Sequence, residues 1–273
     1  MKPMLAFTYQ DRGHRYPDEF HIQPKLNGVR MLYQGGIMQS RDEILWKNGR
    51  LQHIKNALST IPSHLVLDGE LYLHGMSLQK INSAASVKAN MDNENSSRLE
   101  YWVFDMLDLT DPLAPFYERT KLLKQLLQNF KSPIFYCPTI KANRLLAESF
   151  YLKAKAQHFE GIMYRLSDKP YGIVQHCSNK QNRWECLLKR KGYLDTEVDV
   201  VGVVPGEGKY TNMMGSLTCL IDDNTTTFEV GTGFSDAERA RYFDNPPSKI
   251  RIHFETLSDS GIPTQPRYEC SIE

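Results

Sequence analysis

The feature that most constrains the fold is a lysine held between an extended run and a hairpin. Phe20–Gln23 alternates as an extended segment, and the chain runs on through Lys25-Leu26-Asn27-Gly28-Val29-Arg30 inside HIQPKLNGVRMLYQ. Val29–Tyr33 and Ile37–Ser40 then flank Gly35-Gly36, the signal of a β-hairpin. Read by itself, Lys25 is an exposed hairpin lysine. Four further apolar-flanked stretches set it in company: LVLDGELYL (Leu65–Leu73), YWVFDML (Tyr101–Leu107), EGIMYR (Glu160–Arg165) and LLKRK (Leu187–Lys191). Strand periodicity puts Lys189 and Lys191 on one side and Arg190 on the other. The same periodicity places Trp102 and Phe104 on a shared face, which reads Phe104 as a core residue.

Between these strands the spacing predicts helices. Leu51, Ile54, Ala57, Leu58 and Ile61 recur at helical intervals over Leu51–Thr60, and Pro62 stops the run. Ser77–Lys88 reads as a helix and Met91–Arg98 as a loop. Phe116–Phe130 is the clearest helix, with Leu122, Leu123, Leu126, Leu127 and Phe130 on one side. Ile134–Cys137 reads as a short strand, and Asn143–His158 as a helix capped by its asparagine. The mixture is α+β with mainly antiparallel sheets. After Asp195 the texture becomes short β-rich runs (Glu197–Val204, Ser216–Ile221, Thr227–Val230, Ile250–Glu255) punctuated by glycines, with one helix over Ser235–Tyr242. That pattern predicts a small OB-fold β-barrel, and hence two domains, 1–194 and 195–273.

A chain that is 24% charged and 41% hydrophobic is globular rather than disordered. No apolar run reaches the length of a membrane span, and the N-terminus lacks a secretory apolar core, so a cytoplasmic protein is expected. Five scattered cysteines without a Cys-x-x-Cys pair read as reduced thiols; His176-Cys177 with Cys186 has poor metal-ligand spacing. The net charge of +1 conceals an asymmetry: residues 195–273 hold 6 Lys/Arg against 14 Asp/Glu, a balance of −8, which leaves +9 for residues 1–194. The first part alone can therefore supply phosphate contacts.

In their order along the chain, the five stretches resemble nucleotidyltransferase motifs I, III, IIIa, IV and V of the ATP-dependent polynucleotide ligases and mRNA-capping enzymes. GEGKYTNMMGSL, GTGFSDAER and LSDSGIPTQPRY resemble the C-terminal OB domain of small phage and bacterial DNA ligases. The resemblance implies an adenylation domain followed by the OB domain. It also implies ATP and Mg²⁺ (or Mn²⁺) as cofactors and nicked double-stranded DNA as partner, in a monomer of a bacterial or phage-infected cell.

The implied chemistry starts at Lys25. A free lysine, pKa about 10.4, is mostly ammonium at neutral pH and must lose its proton to attack the α-phosphate of ATP. Lys189, Lys191, Arg30 and a metal ion are the expected sources of nearby positive charge. Lys25 would then carry AMP covalently, with Lys189 and Lys191 neutralising phosphate charge. By resemblance, Glu70 binds the ribose, Phe104 stacks on the purine, Glu160 belongs to the metal and Arg41 meets the 5′-phosphate. The family pattern at motif I is Lys-x-Asp-Gly-x-Arg; here Asn27 keeps the size of aspartate and loses its charge. Either it favours a neutral Lys25 or it removes an acceptor for a metal-bound water, and the sequence leaves both open. Motif VI is not plainly present, and Lys249, Arg251 and Arg267 are the late cations considered for pyrophosphate. The alternatives to a DNA ligase are an RNA ligase or capping guanylyltransferase, or a non-catalytic nucleic-acid-binding relative.

Overall fold

The computed structural model describes residues 1–47, 49–86, 93–172, 183–221 and 226–272. They form two compact units, Met1–Lys191 and Gly192–Glu273. The strands of the first unit are β1 (Leu5–Thr8), β2 (Phe20–Lys25), β3 (Val29–Gln34), β4 (Ile37–Ser40), β5 (Leu65–Tyr72), β6 (Glu100–Asp108), β7 (Ile134–Tyr136), β8 (Ile140–Ala142), β9 (Gly161–Arg165) and β10 (Arg183–Lys191). Its helices are α1 (Tyr9–Arg12), α2 (Gln52–Ala57), α3 (Leu78–Ala84), α4 (Phe116–Leu127) and α5 (Arg144–Ala156).

Among the described residues these strands make two five-stranded sheets, ordered β1-β10-β9-β2-β8 and β4-β3-β5-β6-β7. Neighbours are antiparallel except β1 with β10 and β6 with β7. Gly35 and Gly36 both take positive φ (51° and 81°), the conformation that lets two residues turn β3 into β4. Ser77 caps α3 through the Lys80 N–H, and Asn143 caps α5 through the Leu146 N–H. Residues 87–92, which the sequence divides between the end of a helix and a loop, lie outside the described set. On α4, Leu123 and Leu127 are buried but Leu122 is 47% exposed, so the apolar face is narrower than the leucine count suggests.

Each sheet buries one face under helices. Met31, Tyr33, Leu67, Leu71, Tyr101 and Val103 pack with Ile54 of α2, Leu58 just after it, Ile81 of α3 and Leu123 of α4. Phe20, Ile22, Ile162, Tyr164 and Leu188 pack with Ala147 and Ala154 of α5. Alternation sends Leu32 and Val66 to the other side, where they meet Met4, Ala6, Tyr171 and Leu187 between the sheets. Each such side chain, fully buried, contributes about 1.5–3 kcal/mol. The cleft between the two inner faces receives the polar residues of the motifs.

The second unit is built from β11 (Leu194–Pro205), β12 (Met214–Leu220), β13 (Thr227–Val230), α6 (Asp236–Asp244), β14 (Lys249–Phe254) and β15 (Arg267–Ile272). A reciprocal capping box between Ser235 and Glu238 starts α6. The core joins Met214, Leu217, Phe228, Val230, Ile250 and Ile252 to Tyr242 and Tyr268. The expected OB-fold barrel is present in its partly open form. The sheet runs β13-β12-β11-β14-β15, and among the described residues no ladder closes β13 onto β15. β13 ends after four residues because the chain turns away at Gly233, φ +101°, where a Cβ would stand 2.4 Å from the Tyr268 carbonyl oxygen. What spans the gap is a backbone bond from the Tyr268 N–H to the Thr232 oxygen, 2.9 Å.

Candidate active site

Lys25 closes β2, and strand register sets its surroundings. Gly161 pairs with Lys25 on one side and with Lys191 on the other. A Cβ at Gly161, φ +151°, would lie 2.0 Å from the Arg190 carbonyl oxygen, so only glycine lets β2, β9 and β10 draw together here. Glu160 immediately precedes this glycine, and its N–H donates to the Lys25 oxygen at 3.1 Å. Its carboxylate is thereby held between two ammonium groups: Lys25 Nζ bonds Oε2, and Lys191 Nζ bonds Oε1 at 2.8 Å. All three side chains are largely shielded, with exposures of 19%, 10% and 17% for Lys25, Glu160 and Lys191. Burial alone would raise the Glu160 carboxyl, but Lys25 and Lys191 outweigh it and hold the group below its ordinary range. Lys189 moves down from the ordinary lysine value, first through burial and then through the charges of Lys191 and Lys25.

The opposite sheet presents Arg30 and Glu70, which face each other across β3 and β5. A Cβ at Gly28 would come 2.2 Å from the Leu71 oxygen, so the glycine of the lysine motif allows the loop after β2 to lie against β5. Arg30 grips the buried Asp68 with Nε at 2.8 Å and Nη2 at 2.5 Å, while Nη1 donates to the Met4 oxygen at 2.8 Å. The Tyr171 hydroxyl donates to the same carboxylate at 2.5 Å. Every nitrogen of Arg30 thus has a protein acceptor. Burial pushes Glu70 up to about 7 against the pull of Lys25 and Arg30, with Glu160 adding to the rise.

Phe104 occupies a bulge on β6, between Val103 opposite Gly69 and Asp105 opposite Asp68. The guanidinium groups of Arg30 and Arg165 lie over its ring, 5.3 and 5.4 Å from the centroid. The Phe104 carbonyl accepts from the Gln23 amide at 2.8 Å, which also donates to Thr139 Oγ1 at 2.8 Å. Gln23 in turn accepts from Arg165 Nε at 2.7 Å, and Arg165 Nη1 reaches Asp105 at 2.7 Å. Arg119 completes the set, donating to both Asp105 oxygens at 2.9 and 3.0 Å. Burial raises the Asp105 carboxyl, but the two guanidinium groups prevail and its pKa falls below the ordinary value.

The structure therefore gathers Lys25, Lys191 and Glu160 by direct contact, with Lys189, Glu70, Arg30 and Phe104 lining the same cleft. It does not gather Arg41, which stands exposed in the turn after β4, where Ser40 Oγ accepts from the Ile44 N–H at 3.1 Å. Asn27 is partly exposed in the loop between β2 and β3. In the second unit Arg251 pairs with Glu197 at 2.7 Å and Lys249 with Asp199 at 3.5 Å, while Arg267 is exposed. His176 and Cys177 lie outside the described residues, and among those described no three His, Cys, Asp or Glu side chains cluster as metal ligands. Sequence reasoning overlooked Gln23, Asp68, Asp105, Arg119 and Arg165. One signal was available: an acid inside the apolar run YWVFDML needs a buried partner.

A lysine amine beside a carboxylate and further lysines, in a cleft between two sheets, is equipped to attack a phosphate and manage its charge. This two-sheet cleft, followed by a small β unit, belongs to an enzyme class that forms phosphodiester bonds. A family model described as "ATP dependent DNA ligase domain" matches residues 3–184, and one described as "DNA ligase OB-like domain" matches residues 205–271. The chain belongs to the ATP-dependent DNA ligase family. It is 26% identical over 268 residues to the DNA ligase of Haemophilus influenzae, covering 95% of this chain and 88% of that one. It is 27% identical over 197 residues to a DNA ligase of African swine fever virus, covering 68% of this chain and 45% of the viral protein, so it spans less than half of that relative. Among solved structures, a Lig E DNA ligase superposes with a TM-score of 0.76 at 22% identity, covering 100% of this chain and 99% of that one. The Chlorella virus DNA ligase–adenylate does so with a TM-score of 0.56 at 22% identity, covering 100% and 98%. Family membership carries ATP use and action on DNA. Among the described residues no helix is long and apolar enough to cross a membrane.

Proposed function

We propose that the protein seals nicks in duplex DNA through a lysyl-AMP at Lys25 and a DNA-adenylate. The observation that carries this reading is Lys25 ion-paired to Glu160 in a shielded cleft, with Lys191 on the same carboxylate. In the first step Lys25 Nζ, released from Glu160 and deprotonated, attacks the α-phosphorus of ATP. A P–N bond forms and pyrophosphate departs. In the second, an oxygen of the DNA 5′-phosphate displaces the lysine amine from the AMP phosphorus. In the third, the 3′-hydroxyl attacks the activated 5′-phosphorus, the backbone closes and AMP leaves. Lys189 and Lys191 act on phosphate oxygens throughout. Glu70 accepts from the ribose hydroxyls, Phe104 offers its ring to the purine, and Arg30 holds Asp68 and Phe104 in place at the nucleotide site. Arg41, in its exposed turn, is free to meet the 5′-phosphate of the nick.

The donor set suits magnesium or manganese. Such an ion keeps waters and substrate phosphates and needs only one or two carboxylates, which Glu160, with Glu70 nearby, provides. When bound it would supply Lewis-acid neutralisation of phosphate charge. Residues 1–194 serve as the adenylation domain and 195–273 as the OB domain of a monomer working in the cytoplasm. Incubation with labelled ATP and magnesium, followed by a denaturing gel, should give an acid-stable protein–AMP adduct that Lys25→Ala abolishes. An adduct of normal yield in that variant would overturn the assignment.

A further inference from the structure

The first unit has a second concave surface, which the chemistry above does not use. The turn at residues 41–44 reverses the chain after β4 and lays Leu45 beside Gln39. The Trp46 N–H then donates to the Met38 oxygen at 3.1 Å, and the Trp46 indole donates to the Ala85 oxygen at 2.7 Å. Between this returning segment, the start of β4 and α2 lies a pocket of about 360 Å³. That is the size of a small-ligand site rather than of a single bound ion.

Its lining has an unusual composition. Lys47, Arg50 and Lys55 contribute three cations, and among the described residues no Asp or Glu lines it. Its apolar part comes from Ile37, Met38, Leu45 and Trp46. Ile37 and Leu45 are 56% and 38% exposed, so the pocket offers bare hydrocarbon beside positive charge. Arg50 is anchored, donating to the Ser83 oxygen at 2.9 Å. Lys47 and Lys55 are exposed. Gly36 forms part of the wall at φ +81°, a backbone conformation that side chains rarely adopt, and its Cα lies beside the Lys55 stem. Cations over an apolar floor match the two halves of a nucleotide, an anionic phosphate and a largely apolar sugar face. The pocket also shares the β4 edge with the Arg41 turn.

We infer that this pocket seats one nucleotide unit of the DNA substrate, away from the reacting ends. Its phosphate lies between Lys47 and Lys55, and its sugar lies on Ile37 and Leu45. The inference rests on the nick-sealing reading, and the two can fail separately. The probe is a fluorescent nicked duplex with a 3′-dideoxy terminus at the nick, titrated with the full-length protein over a series of NaCl concentrations. Self-adenylation from ATP is measured on the same preparations. Lys47→Ala/Lys55→Ala should bind several-fold more weakly, and its plot of log affinity against log salt should be shallower by about 0.9, one phosphate's share. Lys47→Arg/Lys55→Arg should restore the slope. Ile37→Ala/Leu45→Ala should weaken binding at unchanged slope. Adenylation should be normal in all three. Wild-type affinity and slope in the lysine double-alanine variant, with adenylation intact, overturn the pocket. Absence of adenylation in the wild type overturns the enzymatic reading instead.

Discussion

Replacing Glu70 by Gln should stabilise the ligand-free protein at neutral pH while impairing its use of ATP. Burial pushes the Glu70 carboxyl up to about 7 from 4.5, so between those values the folded protein keeps a proton that the unfolded chain has released. A folded-state value above the unfolded one means stability that is fully present below the unfolded pKa and lost as pH rises through the folded one. At about 1.4 kcal/mol per pH unit, the difference caps the effect near 3 kcal/mol. Glu70 keeps some solvent contact at the cleft, which lowers the expectation to about 2 kcal/mol. The assay is urea denaturation of wild type and Glu70→Gln at pH 5 and pH 8, without nucleotide. At pH 5 the folded wild-type carboxyl is mostly protonated and resembles the amide, while ionisation of the unfolded chain has only begun to tell, so the two proteins should differ by less than about 1 kcal/mol. At pH 8 the variant should be the more stable by about 2 kcal/mol, with an unchanged denaturant slope. Parallel pH dependence in the two proteins would refute the argument that a buried anion is being held here against its own desolvation.

Other expectations follow from the same geometry. Asp105→Asn strands two buried guanidinium groups and should cost about 3–5 kcal/mol at neutral pH. Because the Asp105 pKa is depressed, its stabilisation exists above the ordinary value of 3.8 and disappears as pH falls through the folded one, so the variant should also lose part of the protein's acid sensitivity in denaturation below pH 4. Phe104→Ala should weaken ATP binding by about 1–3 kcal/mol irrespective of metal concentration, whereas the adenylation rate of Glu160→Ala should partly recover as magnesium or manganese is raised; identical metal responses would contradict the two roles. Gly161→Ala forces a Cβ toward the Arg190 oxygen and should destabilise by on the order of 3 kcal/mol, read from a thermal melt.

Much of this was legible in the sequence because it is local. The Gly35-Gly36 hairpin, the Asn143 cap, the helix that starts at Ser235 and the existence of α4 and α5 are written in short windows, and each appears in the structure. The cleft residues Lys25, Glu70, Glu160 and Lys191 were legible through motif order rather than periodicity. What was not legible depends on partners far along the chain. β1 and β8 are four and three residues long and owe their strand state to β10 and β2, so no window reveals them. β15 was missed because only Tyr268 in Arg267–Ile272 is buried. The bond between Arg165 and Gln23 spans 142 residues of sequence, and that between Tyr171 and Asp68 spans 103. Such contacts show in the sequence only as polar residues in apolar surroundings. The open edge of the second unit's sheet likewise depends on backbone conformation at Gly233, which a glycine count cannot supply.

The chain of bonds from Gln23 through Arg165 and Asp105 to Arg119 has a consequence for anyone redesigning this protein. Its members come from β2, β9, β6 and α4, and each satisfies a polar group that another would leave stranded. Mutational effects within it will therefore be strongly non-additive. Single-site libraries will report all four positions as intolerant even where a joint replacement of the whole set would be accepted. Gln23 lies two residues from Lys25 and invites substitution when a different nucleotide is wanted, yet its amide already serves as scaffold. A campaign should vary these four positions jointly, or leave them alone and begin at Asn27, whose side chain is not tied into the network.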